Sequence, residues 1–249
     1  MRIRILCGLL AGILLTACVS VDSTSPPDGA RYHYLMGVSA LNENNPTEAL
    51  RELLAAEKLD SRDAEIQAGL AEAYFRKEAY DLAERHYLRA IDLSAGDPTH
   101  HNNLGALYLN MERFDDAARQ FQTAADNLLF DRPEIALTGL GLARFQLGDY
   151  PAAERAYQKA LRLAPRYVQS SFRLGELYFA QDRPVEALVQ FTRAVELSPN
   201  FVQAHYWLGL TYMKTEQPEA AKQAFIQVVK LAPDSEQARL ALQYLKILN

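Results

Sequence analysis

Five histidines are the residues in this sequence whose type best suits metal binding. Two imidazoles hold one metal ion when they lie three or four residues apart on a helix, because that spacing places both rings on one face. The histidines are His33, His86, His100, His101 and His205. No pair has that spacing, and the adjacent rings of His100 and His101 would point to different sides of a helix. The sequence therefore predicts no metal site, and we interpret the histidines as solvated or loosely packed side chains.

Short catalytic motifs are either absent from the sequence or have a simpler explanation. There is no Gly-x-Ser-x-Gly nucleophile motif and no Gly-x-x-x-x-Gly-Lys phosphate loop. Gly139 and Gly141 resemble the start of a dinucleotide fingerprint, but its third glycine is missing and both lie inside a predicted helix. Asp115 and Asp116 fall at a predicted helix start, where acids complement the dipole, and a catalytic pair is the weaker interpretation. The sequence predicts a protein that is not an enzyme and uses no cofactor.

The two cysteines lie near the amino terminus, at Cys7 and Cys18. They therefore exclude a disulfide framework for the folded body. Arg2 and Arg4 precede an apolar run over residues 5–15, which is short for a membrane span and typical of a secretory signal. The run ends in Leu-Thr-Ala-Cys, which resembles the bacterial lipobox. The resemblance implies cleavage directly before Cys18 and lipid attachment to it, whereas the alternative is a simple signal peptide with an incidental cysteine.

The residues around the predicted cleavage point indicate the cellular location of the protein. Residues 1–17 are interpreted as a lipoprotein signal peptide, and residues 18–29 as a lipidated cysteine with a flexible, proline-containing tether. In lipoproteins of this kind, Asp directly after the cysteine often retains the protein in the inner membrane. Val19 occupies that place. The resemblance therefore implies a lipid-anchored protein of the outer membrane that faces the periplasm.

Composition limits the partners of the folded body. The chain has 249 residues and a formal net charge of −5, with 49% hydrophobic and 23% charged residues. These proportions argue against general disorder. No run of Lys or Arg stands out, so neither a nucleic acid nor an anionic lipid surface is predicted as a partner.

The body repeats one unit six times. Small residues recur at steps of 34, 34, 36, 34 and 34 residues, at Gly37, Ala71, Gly105, Gly141, Gly175 and Gly209. Twelve residues after each stands an alanine, at Ala49, Ala83, Ala117, Ala153, Ala187 and Ala221. A large apolar side chain follows four residues later, at Leu53, Tyr87, Phe121, Tyr157, Phe191 and Phe225. A fixed period of this length indicates a stack of helical hairpins, because one hairpin cannot bury its apolar face alone.

This pattern resembles the tetratricopeptide repeat family over residues 30–233. The resemblance implies an all-α fold, a right-handed superhelical solenoid of six helical hairpins. Turn residues at 44–46, 148–150, 182–184 and 216–218 mark the reversals within hairpins. Residues 234–249 are predicted to form a capping helix that covers the last hairpin with Leu240, Leu242, Leu245 and Leu248.

One joint departs from the period, because the stretch between the third and fourth units is two residues longer. Residues 127–133 are predicted to form a distinct, partly apolar corner. A lengthened joint at this place, a lipobox, a short tether and six repeats resemble the type IV pilus pilotin lipoproteins. The resemblance implies an adaptor that binds a secretin subunit of the type IV pilus and assists its assembly.

The family resemblance also implies a partner-binding groove along the first helix of each hairpin. Its predicted lining is Tyr34, Val38, Leu41, Phe75, Leu109, Leu142, Phe145, Phe172, Phe179, Tyr206, Leu210 and Met213. This apolar stripe suits an amphipathic helix or an extended apolar peptide. The alternative is that some of these side chains pack between neighbouring helices. A second hypothesis for function is a general periplasmic scaffold lipoprotein that recruits cell-wall hydrolases or envelope proteases.

Overall fold

A computed structural model describes residues 29–248, which form thirteen α-helices and no β-strand. The helices are α1 (Gly29–Asn42), α2 (Pro46–Leu59), α3 (Ala64–Arg76), α4 (Tyr80–Leu93), α5 (Pro98–Asn110), α6 (Phe114–Asp126), α7 (Pro133–Gln146), α8 (Tyr150–Leu163), α9 (Val168–Ala180), α10 (Pro184–Leu197), α11 (Val202–Lys214), α12 (Pro218–Leu231) and α13 (Glu236–Ile247). The first twelve pair in order as six hairpins, and α13 packs on α12. The predicted solenoid is confirmed. The predicted signal peptide and Cys18 lie outside the described residues.

Each hairpin turns at one residue in the left-handed region. These residues are Asn44, Glu78, Glu112, Gly148, Asp182 and Glu216, with φ between 56° and 76°. A reversal this tight needs a positive φ, which only glycine adopts without a steric penalty. The four turns expected from the sequence are confirmed, and two further turns lack a glycine or proline signal.

The small repeat position allows the two helices of a hairpin to approach closely. A Cβ atom added to Gly141 would lie 2.4 Å from Cε1 of Tyr157 on the partner helix, and Gly175 faces Phe191 at 2.7 Å in the same way. The ring also reaches the next hairpin, since Phe121 lies within 2.5 Å of a Cβ built on Gly139. One large side chain therefore fills the space between one hairpin and the next.

The joint between α6 and α7 is longer than the others. Residues 127–132 separate these two helices, whereas four residues, such as 94–97, separate the other hairpins. Leu128 is fully exposed and Leu129 is 85% exposed, while Phe130 packs against the core. The predicted partly apolar corner is confirmed.

The capping helix covers the last hairpin with two alanines and with two of the four predicted leucines, Leu245 and Leu248. Ala238 and Ala241 are fully buried, and Leu245 and Leu248 pack beside them. Leu242 is instead 46% exposed, so its predicted role in the cap is wrong. The small alanine face allows α13 to lie close to α12, and this crossing turns Leu242 outward.

Two matching side-chain clusters join neighbouring hairpins, and we call each of them a clasp. In the first, Glu84 of α4 accepts hydrogen bonds from the Tyr108 hydroxyl at 2.7 Å and from Nη1 of Arg113 at 2.9 Å. The Arg113 guanidinium lies 4.2 Å from the Tyr108 ring centre. Burial and the bond to Glu84 raise the Tyr108 pKa to about 12. The second clasp has the same arrangement in Glu154, Tyr178 and Arg183, with distances of 2.9, 3.0 and 4.2 Å.

Replacing Glu154 with alanine should destabilise the chain by about 1–2 kcal/mol, because the Tyr178 hydroxyl and the Arg183 guanidinium then lose their acceptor. This destabilisation is at the low end of the range for a polar group that loses its partner, because the Arg183 side chain is 37% exposed and partly solvated. Urea unfolding followed by circular dichroism measures the change. Glu196→Ala on α10 is the matched control, as that side chain is exposed and forms no hydrogen bond within residues 29–248. Equal midpoints for the two variants would contradict the clasp.

Candidate functional site

The first helices α7, α9 and α11 enclose a depression that continues onto α13, and we call it the trough. Two cavities of about 210 and 200 Å³ lie along it and share Arg173, Glu176 and Trp207. The first is also lined by Leu142, Phe145, Gln146, Tyr157, Phe179 and Ala180. The second is also lined by Phe172, Gln203, Tyr206, Glu236, Gln237 and Leu240. Each cavity is below the roughly 300 Å³ of a typical small-molecule site, so the trough suits individual side chains of a bound segment.

Interlocked aromatic rings form the apolar wall of the trough. Trp207 meets Phe179 edge to face, with ring centres 5.2 Å apart, and stacks on Phe191 at 6.0 Å. Nζ of Lys214 lies 4.8 Å from the Phe179 ring centre and 2.6 Å from Asp182. Packed rings keep few rotamers open, so this wall is preorganised for an apolar partner.

One ion pair lies between the mostly apolar first cavity and the mostly polar second cavity. Nη1 of Arg173 donates to Oε2 of Glu176 at 2.8 Å, one turn further along α9. Burial raises the pKa of Glu176, and the positive charge of Arg173 opposes that rise. The pair borders both cavities, so a bound segment would place an apolar side chain on one side of it and a polar side chain on the other.

The predicted groove residues divide into three groups. Those that line the trough are Leu142, Phe145, Phe172, Phe179 and Tyr206. Partly exposed residues elsewhere are Tyr34, Val38, Phe75, Leu109, Leu210 and Met213. Leu41 forms the third group and is buried, with 6% exposure, and Phe172 of the first group is also buried, with 2% exposure. That the remaining residues bind a partner stays a prediction.

The prediction that the side chains of Leu41 and Phe172 are accessible to a bound partner is wrong. The Phe172 ring lies 4.8 Å from Phe201 and 5.8 Å from Phe191, between neighbouring hairpins. Leu41 belongs to the core cluster of the first two hairpins. Both residues pack between helices, as the alternative interpretation held.

Sequence reasoning missed Arg173, Glu176 and Trp207. Glu176 holds the same repeat position as the predicted Leu142 and Leu210, but the predicted stripe contained only apolar side chains. Arg173 and Trp207 share one repeat position, directly after the predicted Phe172 and Tyr206. A search of the neighbouring position would have found them.

Three of the histidines join the two helices of a hairpin. His33, His86 and His101 lie within 2.7–2.8 Å of Glu52, Gln67 and Gln120, respectively. His100 is buried, with 3% exposure. The interpretation of the histidines as solvated or loosely packed side chains is therefore wrong for His100 and for the three hydrogen-bonded histidines. In the part of the chain that the structure describes, no group of three His, Cys, Asp or Glu residues could hold a metal ion. Across residues 29–248, no helix combines the length and apolarity of a membrane span.

Comparison with known proteins places the repeats in a wider context. Models of the tetratricopeptide repeat match residues 34–98 and 138–200, residues 98–166 and residues 179–244. The type IV pilus assembly protein PilF of Pseudomonas aeruginosa is 24% identical over 194 residues, which cover 75% of this chain and 77% of PilF. An uncharacterised protein of Haemophilus influenzae is 27% identical over 124 residues, covering 49% of this chain and 69% of that protein.

Two solved structures have the same fold. The structure of Pseudomonas aeruginosa PilF matches with a TM-score of 0.74 and 19% identity, over 86% of this chain and 97% of PilF. The structure of PilW, described as a widely conserved type IV pilus biogenesis factor, matches with a TM-score of 0.78 and 17% identity. That match covers 86% of this chain and 98% of PilW. The shared architecture includes nearly the whole of both solved chains.

Proposed function

This chain belongs to the tetratricopeptide repeat family, and from that premise we propose that it is an adaptor in type IV pilus biogenesis. It binds a secretin subunit of the pilus and assists assembly of the secretin ring. No bond is made or broken in this mechanism. The similarity to PilF over three quarters of the chain supports the pilus assignment, and the common fold with PilW supports it further.

The trough is the observation that carries the binding mechanism. Its aromatic wall includes Phe179 and Trp207, and its two cavities could each take a side chain of a partner segment. An amphipathic helix that lays its apolar face in such a groove is a common mode of recognition. Affinity then concentrates in a few aromatic anchors. We therefore assign secretin binding to the trough.

The proposal also includes the lipid anchor. Lipid on Cys18 would hold the adaptor in the outer membrane, facing the periplasm, and the bound secretin subunit would travel with it. The support is the Leu-Thr-Ala-Cys sequence with Val19 after it. Three acyl chains bury far more CH₂ groups than the single chain that gives only marginal, reversible binding.

Replacing Phe145 and Phe179 with serine together should weaken binding of the purified secretin subunit by roughly tenfold or more. The expected loss of about 2 kcal/mol is that of a buried aromatic anchor. Both rings line the trough and are partly exposed, whereas Phe172 is a core residue. Binding is measured by titration of secretin against the full-length chain in detergent, followed through the fluorescence of Trp207, the single tryptophan.

The control replaces Leu163 and Val185 with serine, since these exposed residues lie on second helices away from the trough. Circular dichroism establishes that both double variants fold. A folded trough variant with unchanged secretin affinity would reject the trough as the binding site. If the wild-type chain binds no secretin but captures a cell-wall hydrolase or an envelope protease, the scaffold hypothesis replaces the pilus one.

A further inference from the structure

A polar cavity of about 340 Å³ lies at the boundary between the third and fourth hairpins, away from the trough. It is enclosed by α6, α7 and α8. Its polar lining is Gln122, Arg144, Asp149, Arg155 and Lys159. This is also the boundary with the longer joint, residues 127–132.

The cavity occupies the place where a third clasp would form. Ala118 holds the repeat position of the clasp carboxylates, Glu84 and Glu154. Arg144 holds the position of the clasp tyrosines, and Asp149 that of the clasp arginines. Arg144 and Asp149 both line the cavity. This boundary therefore lacks the clasp carboxylate, because Ala118 replaces it. The charged guanidinium of Arg144 replaces the neutral tyrosine hydroxyl that donates to the carboxylate in the two complete clasps.

The charges around the cavity leave a positive excess. Neither Arg144 nor Arg155 makes a side-chain hydrogen bond or ion pair within residues 29–248, and both line the cavity. Lys159 reaches Asp126 at 3.8 Å in an exposed pair. The Asp149 carboxylate already accepts the N–H of Ala152 at 3.1 Å, as the cap of α8. Two arginines without an ion pair and one paired lysine thus surround the cavity with the carboxylates of Asp149 and Asp126, which leaves an excess of one positive charge in a chain whose net charge is −5.

We propose that this cavity binds a carboxylate side chain of a partner protein, which completes the third clasp from outside the chain. The guanidinium of Arg144 offers paired N–H donors that match a carboxylate, and Arg155 and Lys159 add charge at the rim. The partner segment is acidic, in contrast to the apolar segment proposed for the trough. The inference depends on neither the trough nor the pilus assignment.

The test uses a fluorescein-labelled hexaglutamate peptide, with hexaglutamine as its uncharged match, and the full-length chain in detergent. Anisotropy should report tighter binding of hexaglutamate than of hexaglutamine. Arg144→Gln should weaken hexaglutamate binding roughly tenfold, the effect of losing one charge-assisted hydrogen bond. Arg162→Gln is the control, because this exposed arginine lies on α8 outside the cavity.

A second variant, Ala118→Glu, supplies the missing carboxylate within the chain. It should abolish hexaglutamate binding and leave the melting temperature unchanged or higher. If this buried position rejects glutamate and the variant unfolds, Arg144→Gln decides alone. Equal binding of the two peptides overturns the proposal, and so does equal weakening by the Arg144 and Arg162 variants. Displacement of hexaglutamate by low millimolar inorganic phosphate would also overturn it, in favour of a small-anion site.

Discussion

Replacing Ala187 with tryptophan should lower the melting temperature by about 6–12 °C. Ala187 is fully buried in α10, in the cluster that contains Phe172 and Phe191. A core at this packing density accommodates an indole only by moving helices apart, at a cost of about 3 kcal/mol or more. In a chain of this size, each kcal/mol lowers the melting temperature by about 2–4 °C. Circular dichroism at 222 nm, which is dominated by helix here, measures the shift.

The matched control is Val189→Trp, two residues further along the same helix. Val189 is 59% exposed, so its replacement adds the same side chain without crowding the core. We expect this variant to melt within about 2 °C of the wild type, since exposed substitutions change stability by about 0.5 kcal/mol at most. If the two variants have the same melting temperature, the assignment of Ala187 to a buried repeat position of α10 is wrong.

Replacing Cys18 with serine should remove the protein from the outer membrane entirely. Without the thiol no lipid can be attached, and the body is then released or stays uncleaved in the inner membrane. The effect is close to all-or-none, because each buried CH₂ contributes about 0.8 kcal/mol to membrane binding. Labelling with radioactive palmitate and separation of the two membranes measure it.

Cys7→Ser is the matched control, because Cys7 lies within the apolar run of the predicted signal. That variant should incorporate palmitate and reach the outer membrane as the wild type does. A third variant, Val19→Asp, should incorporate palmitate yet remain in the inner membrane. Outer-membrane residence of Cys18→Ser would reject the lipid anchor, whatever the trough binds.

The repeat architecture could be predicted because each repeat position has one physical role. Gly141 must be small since the Tyr157 ring lies against it, and Ala187 must be small since it is fully buried in a packed cluster that leaves no room for a larger side chain. Because these limits on side-chain size recur at every hairpin, the same types of residue recur in the sequence at a fixed period. The longer joint at residues 127–132 could be predicted for the same reason, as a break in the period.

Side-chain exposure on the first helices could not be predicted in this way. Phe172 and Phe179 both fit the apolar stripe, yet Phe172 is 2% exposed while Phe179 is partly exposed. The difference depends on how far α11 and Phe201 extend over each ring. The same applies to Leu242, which the crossing of α13 on α12 turns outward.

The number of hairpins, their helical type, four of their six turns and the longer joint follow from the sequence alone, because local conformation and a period of 34 residues specify them. Which residues come together from different repeats depends instead on how the hairpins stack. The folded structure brings Arg173, Glu176 and Trp207 together in one trough, and it places Arg144 where two other boundaries hold a clasp tyrosine. The reason is that a contact between repeats depends on the angle and distance between stacked helices. The angle and the distance between stacked helices result from the packing of many side chains, so they cannot be read from the residue type at any single repeat position.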